Sequence, residues 1–264
     1  CDWSSDVCSS DLAVPDQGFI HDAATIERAV VANRAKGIIL NSPNNPSGAV
    51  ASRAQVEALV RIAQAHDLWI LSDEIYAMLR YDGADYVSPA SVPGGQERTM
   101  IVSGFTKSHT LTGWRIGFLA GCRPVIEAAG RIQSQVLGNA CTISQEAARA
   151  ACAEPPHAEI QRRLVEFDRR RQYLVREVNQ LRGLKLVPPR GAFYALVDAR
   201  QLCAERKLTD LQIAERLLDE HHLATVPGSA FGIPGFIRLS YAAAMPEIEK
   251  GVARLAKFVR GVGA

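Results

Sequence analysis

The sequence predicts an α/β fold: a mostly parallel sheet in a larger first domain, then a smaller α+β domain at the carboxyl end. Three observations carry this. Between residues 25 and 71, short apolar runs alternate with amphipathic helical stretches across short joins, the pattern of a parallel sheet with crossover helices. Past residue 157 the order changes to one long helix followed by strand-like runs with helices between them. The chain has 264 residues, 47% apolar and 22% charged, enough for a large core and about two domains.

Taken in order, Thr25–Lys36 reads as a helix. Ile26, Ala29, Val30 and Asn33 share one face, and Gly37 stops it. Ile38–Leu40 is a short buried strand, and Asn41–Gly48 (NSPNNPSG) is a dense turn cluster. Ser52 begins the next helix, with Gln55 three residues on completing a capping box. Val56, Leu59, Val60 and Ala63 form its apolar stripe. Trp69–Leu71 is a second strand, ending at Ser72-Asp73-Glu74. A loop over Pro89–Gly95 leads to the strand Met100–Val102. Helical segments follow at Pro124–Leu137 and Thr142–Ala153, and Pro155-Pro156 breaks the pattern. A long helix over His157–Leu181 places Leu164, Phe167, Arg171, Leu174 and Val178 along one side. Strands are expected at Lys185–Val187, Ala192–Val197, Ala224–Val226 and Phe236–Tyr241. Helices are expected at Thr209–His221 and from Pro246 onward. These readings put one domain at 13–156 and the other at 157–264.

Residues 1–12 (CDWSSDVCSSDL) differ from the rest. They are rich in Asp, Ser and Cys, with neither a basic n-region nor an apolar core, so they are not a signal peptide. They resemble a translated adapter and are expected to be non-native.

The totals exclude several classes. A formal net charge of +2 gives no general drive toward nucleic acid. No apolar run approaches the eighteen or so residues needed to span a bilayer. The six cysteines form no CxxC pair and have no histidines at metal-ligand spacing, so no metal is expected. Free thiols in a reducing cytoplasm are the simplest reading. Arg169-Arg170-Arg171 reads as a solvated helix face, and His221-His222 as a surface pair.

The chemistry concentrates in Ser103–Gly121 (SGFTKSHTLTGWRIGFLAG). Of six lysines, five lie in polar helical or edge contexts. Lys107 alone sits between two apolar strand-like runs. Desolvation there favours the neutral amine, the form that condenses with a carbonyl. Asn45 and Asp73 fall just past strand ends, as Lys107 does, and open α/β sheets bind ligands beyond those ends. Taken singly, each residue has a plainer reading. Asp73 suits a helix N-cap, Asn45 a bare turn, Tyr76 a core aromatic, and Arg238 a sheet edge.

Together, GFTKSHTLTGWRIGF, LSDEIY, NNPSG and FIRLSYA resemble the class I and II aminotransferases. These are fold-type I enzymes that use pyridoxal phosphate, and the closest likeness is to the prokaryotic-type aspartate and aromatic branch. The resemblance runs from about Ala13 to Ala264. It implies that Lys107 forms a Schiff base with the cofactor and that Asp73 holds its pyridine nitrogen protonated. Tyr76 and Asn45 would meet its phenolate oxygen, and Arg115 would bind its phosphate. Arg238 would take the substrate α-carboxylate, with Asn45 beside it. The family often has Ser-x-x-Lys, but Gly104 stands three before Lys107. Ser103 is one residue earlier, and Thr106 would share the phosphate work. Gly191-Ala192-Phe193-Tyr194 and Pro227-Gly228-Ser229 resemble segments that approach the site, and are read as architecture.

The implied reaction moves an amino group between an amino acid and a 2-oxo acid, in a cytoplasmic protein that is a homodimer when full length, without nucleic acid or membrane partners. Two alternatives stay open: a carbon–sulfur β-lyase on the same fold, and an aminotransferase-like sensor domain of a transcription regulator. The family's chain begins well before Ala13. The expectation is therefore of a fragment that leaves apolar sheet uncovered, binds the cofactor weakly and is itself inactive.

Overall fold

The computed structural model describes residues 18–153 and 157–261. Residues 1–12 and Pro155-Pro156 lie outside them. The first sheet has four strands in the order β1 (Gly37–Asn41), β2 (Trp69–Asp73), β3 (Thr99–Gly104) and β4 (Gly117–Ala120). The first three are parallel, and β4 pairs antiparallel with β3. The second sheet has the order β5 (Lys185–Leu186), β6 (Tyr194–Asp198), β8 (Phe236–Ser240) and β7 (Val226–Pro227), all antiparallel.

Helix α1 (Ala23–Ala32) starts at Asp22, whose side chain accepts from the Thr25 N–H. It stops four residues before the expected Lys36. Asn33 Nδ2 donates to the Ala29 carbonyl, and Arg34 turns left-handed, so an Asn ends this helix where a Gly was expected to. Helix α2 (Arg53–Ala65) has the expected capping box between Ser52 and Gln55, and all four expected stripe residues are buried. With α1 it covers one face of the first sheet, packing on Ile38, Leu40 and Ile70.

By register, Ile39, Trp69 and Val102 share the opposite face. They stand 62%, 46% and 38% exposed. Helix α3 (Arg123–Val136) buries no residue and leaves Ile132 and Val136 exposed. This face therefore presents apolar side chains to the outside, while α1 and α2 cover the other. Helix α4 (Thr142–Ala153) follows.

The larger core lies on the second sheet. Helices α5 (His157–Val178), α7 (Asp210–His221) and α8 (Met245–Arg260) pack there against Ala195, Val197, Ile237 and Leu239. The short helix α6 (Arg200–Arg206) was not foreseen, because seven residues with only Leu202 buried give almost no periodic signal.

Two surface readings are corrected. Arg171 is only 4% exposed. It sits three and four residues from Phe167, Leu174 and Asp168, so helical spacing turns it inward while Arg169 stays out. Its guanidinium grips Asp82 with two bonds of 2.8 Å, Asp168 at 2.7 Å and the Pro189 carbonyl at 3.0 Å. His221 is also buried, on the α7 face with Ile213 and Leu217, its ring edge-on to Phe258.

Arg171→Leu is expected to cost about 3 kcal/mol in chemical unfolding of the gene's full product. That is the low end for breaking a buried pair, because the half-exposed Asp82 and Asp168 can rehydrate. A loss under about 1 kcal/mol would show that Arg171 does not tie α5 to the first-sheet loops.

Among the described residues Cys122, Cys141, Cys152 and Cys203 are free thiols. No group of three or more His, Cys, Asp or Glu there could hold a metal. No helix of the described residues is long and apolar enough to cross a membrane.

Candidate active site

Parallel pairing aligns the carboxyl ends of the first three strands. Asn41 sits beside Asp73, and Asp73 beside Val102. The chain leaves β1 into the NSPNNPSG turn, which has cis bonds before Pro43 and Pro46. It leaves β3 into the turn bearing Lys107.

The turn after β1 is held from both sides. Asn41 Nδ2 donates to the Asp73 carbonyl at 3.3 Å, and its Oδ1 accepts from the Asn45 N–H at 2.7 Å. Gly48 has φ +71°, and a Cβ on it would stand 2.3 Å from Pro189 Cβ. Only glycine lets the two loops meet there. The Gly48 carbonyl accepts from the N–H groups of Arg190 and Gly191. The GAFY segment is thus stitched to the turn that carries Asn45.

At the centre lies a cluster of rings. Tyr76 is buried, edge-on to Phe193 at 5.6 Å and to Tyr194 at 5.9 Å between centroids. Its hydroxyl donates to the Tyr194 hydroxyl at 3.4 Å. Burial pushes the Tyr76 phenol well above its ordinary pKa, and the bond to Tyr194 adds to that. Tyr76 is therefore neutral and able to donate at any physiological pH.

Lys107 Nζ lies 5.9 Å from the Tyr76 ring centroid and 5.5 Å from that of Phe193. It makes no hydrogen bond or ion pair among the described residues. Lys107 is half-buried, whereas the other five lysines are exposed. Arg238, on β8, approaches the same rings from the second sheet. Its Nη1 donates to Asn45 Oδ1 at 2.8 Å, and its Cζ lies 4.5 Å from the Tyr194 centroid. The Asp73 carboxylate, half-buried at the end of β2, accepts from the Ile75 N–H at 3.2 Å. Among the described residues it bonds to no other side chain.

The structure thus brings together Asn45, Tyr76, Lys107 and Arg238, with Asp73 one strand-end away. The expected phosphate residues are not joined to this group. Ser103 is paired with Phe118 and falls on the opposite sheet face from Asp73, and its hydroxyl donates to the Glu74 carbonyl. Thr106 is half-buried and makes no hydrogen bond among the described residues. Arg115 is exposed in a left-handed conformation (φ +49°), and its guanidinium has no partner among the described residues.

Asn41, Phe193 and Tyr194 line the same cluster: Asn41 was read only as part of the turn, and Phe193 and Tyr194 only as architecture near the site. Asn41 stood in plain view at the strand end, but nothing in its neighbours separates it from a turn former. The strand Ala192–Val197 gave Tyr194 no known partner until β6 was paired with β8.

The residues fit pyridoxal phosphate. Among the described residues, an amine without a counterion, a carboxylate without a cation and a neutral phenol are the groups its aldehyde, ring nitrogen and phenolate oxygen require.

A family model described as aminotransferase class I and II matches residues 11–255. The aspartate aminotransferase of Bacillus sp. (strain YM-2) is 34% identical over 250 residues, covering 94% of this chain and 63% of that protein. The aspartate/prephenate aminotransferase of Thermus thermophilus is 39% identical over 246 residues, covering 92% and 61%. Among solved structures, the aspartate aminotransferase from Rhizobium meliloti superposes with a TM-score of 0.88 at 35% identity, covering 96% of this chain and 64% of the other. The aromatic aminotransferase from Pyrococcus horikoshii OT3 gives 0.88 at 33%, covering 94% and 66%. The chain therefore spans somewhat under two thirds of these relatives, and over that span it belongs to the class I and II aminotransferases.

Proposed function

We propose that this chain carries the catalytic residues of an aminotransferase that uses pyridoxal phosphate to move an amino group from an amino acid to a 2-oxo acid. The observation that carries this is the convergence of Lys107 and Arg238 on one ring cluster, Tyr76–Phe193–Tyr194. An amine for a carbonyl and a guanidinium for a carboxylate meet there from two different sheets. The names of the relatives, for aspartate, prephenate and aromatic substrates, support amino transfer over β-elimination. The α-carboxylate is what such amino acids share.

When bound, pyridoxal phosphate supplies an aldehyde and a ring that accepts the electron pair left at the substrate α-carbon. Lys107 Nζ would hold the aldehyde and, once the substrate amine has displaced it, would be free to take the proton from the α-carbon. Asp73 would keep the ring nitrogen protonated. Tyr76 and Asn45 would donate to the phenolate oxygen. Thr106 and Arg115 stay the candidates for the phosphate by resemblance, although neither is bonded to this cluster among the described residues. Arg238 would hold the substrate by its carboxylate, on the same ring cluster that Lys107 reaches.

Arg238→Leu is expected to lower kcat/KM for every amino donor by roughly ten- to a hundredfold, the worth of a charge-assisted hydrogen bond. Preference among side chains should not change. The test is a panel of acidic, aromatic and aliphatic donors assayed with a 2-oxo acid acceptor. A loss confined to dicarboxylic donors would make Arg238 a side-chain reader. Absence of amino transfer from every donor in the unsubstituted gene product would end the proposal.

A further inference from the structure

We propose that Tyr194 is a positioning residue for Arg238: its ring, with that of Phe231, holds the guanidinium in place before a carboxylate arrives. This rests on the reading of Arg238 as the carboxylate-binding cation. The guanidinium carbon lies 4.5 Å from the Tyr194 ring centroid and 4.9 Å from that of Phe231. Asn45 takes one Nη1 hydrogen, and the other N–H groups have no acceptor among the described residues.

The two rings come from separate elements. Tyr194 opens β6, where pairing with β8 sets Tyr194 opposite Ser240 and Leu196 opposite Arg238. Tyr194 and Arg238 are thus diagonal neighbours on one face, a separation long side chains bridge. Phe231 ends a 3-10 turn over Gly228–Phe231, whose Ser229 N–H is fastened to Asp210 Oδ2 at 2.6 Å. The Tyr194 ring is itself held by its neighbours: it packs at 4.8 Å on Phe193 and edge-on to Tyr76 at 5.9 Å between centroids.

A free arginine side chain loses considerable rotamer freedom when it closes on a carboxylate. Rings that already hold the guanidinium remove part of that cost and add a cation–π attraction. The contact is made whether or not substrate is present, so its effect falls on binding more than on the chemical step.

The test measures the Kd of maleate, an unreactive dicarboxylate, by calorimetry on the gene's full product saturated with pyridoxal phosphate. Donor KM and kcat are measured alongside. Tyr194→Leu should raise the maleate Kd and the KM of all donors about five- to tenfold, with kcat changed less than about twofold. Tyr194→Phe keeps the ring and should stay within about twofold of the parent on the same scale. Phe231→Leu should repeat the Tyr194→Leu loss, and it carries the test if Tyr194→Leu fails to fold. Parent-like maleate binding in the folded leucine variants, with binding lost in Arg238→Leu, overturns the positioning role alone. So does a Tyr194→Phe variant as weak as Tyr194→Leu. Unchanged maleate binding in Arg238→Leu overturns the carboxylate reading and this inference with it.

Discussion

Lys107→Ala is expected to lower amino transfer by more than about a thousandfold, as both the covalent amine and the proton carrier are lost. The geometry makes this substitution informative. Lys107 is only half-buried, and its amine touches two aromatic rings while bonding to nothing among the described residues. Removing it breaks no hydrogen bond or ion pair among the described residues, so the thermal midpoint of the cofactor-free protein should stay close to the parent's. The loss then belongs to chemistry. Steady-state assays with a saturating donor, together with a melting curve, check both halves. Residual activity within tenfold of the parent would remove Lys107 from the reaction.

Asp73→Asn is expected to slow turnover by about a hundredfold. Losing one member of a paired charge costs roughly 3–5 kcal/mol. If about 3 kcal/mol of that falls on the transition state, the rate drops by that factor. The substitution is nearly isosteric. Asn can still accept from the Ile75 N–H, as the Asp73 carboxylate does at 3.2 Å, so the strand end should keep its shape. Cofactor affinity should fall as well, since the ring nitrogen loses its counter-charge. Fluorescence titration with pyridoxal phosphate measures the affinity, and single-turnover kinetics measures the chemical step. Parent-like values in both would leave Asp73 as a turn residue.

Local signals in the sequence were legible where they were strong. The Ser52–Gln55 capping box, the α2 stripe and the parallel strands around it follow from spacing alone, and all are present. Lys107 could be singled out because the other five lysines stand in polar contexts. What was missed depends on tertiary partners. Arg171 reads as surface in an arginine run, and its burial depends on Asp82, 89 residues away. His221 faces inward because α8 brings Phe258 to it. Tyr194 gained a role only once β6 and β8 were in register. Helix α1 ends early because the Asn33 side chain competes with the ladder for the Ala29 carbonyl, a local effect that a search for glycine stops passes over. Ser103 was among the expected phosphate residues, but the pleat sends its side chain to the sheet face opposite Asp73, where its hydroxyl meets the Glu74 carbonyl.

The central claim is that Lys107 is the amine that holds the cofactor. The direct measurement is borohydride reduction of the gene's full product with pyridoxal phosphate, followed by peptide mapping of the fixed adduct by mass spectrometry. The account predicts one stoichiometric adduct, on the peptide containing Ser103–Arg115, with the mass shift on Lys107. A stoichiometric adduct on Lys36, Lys185, Lys207, Lys250 or Lys257, with Lys107 unmodified, would contradict it.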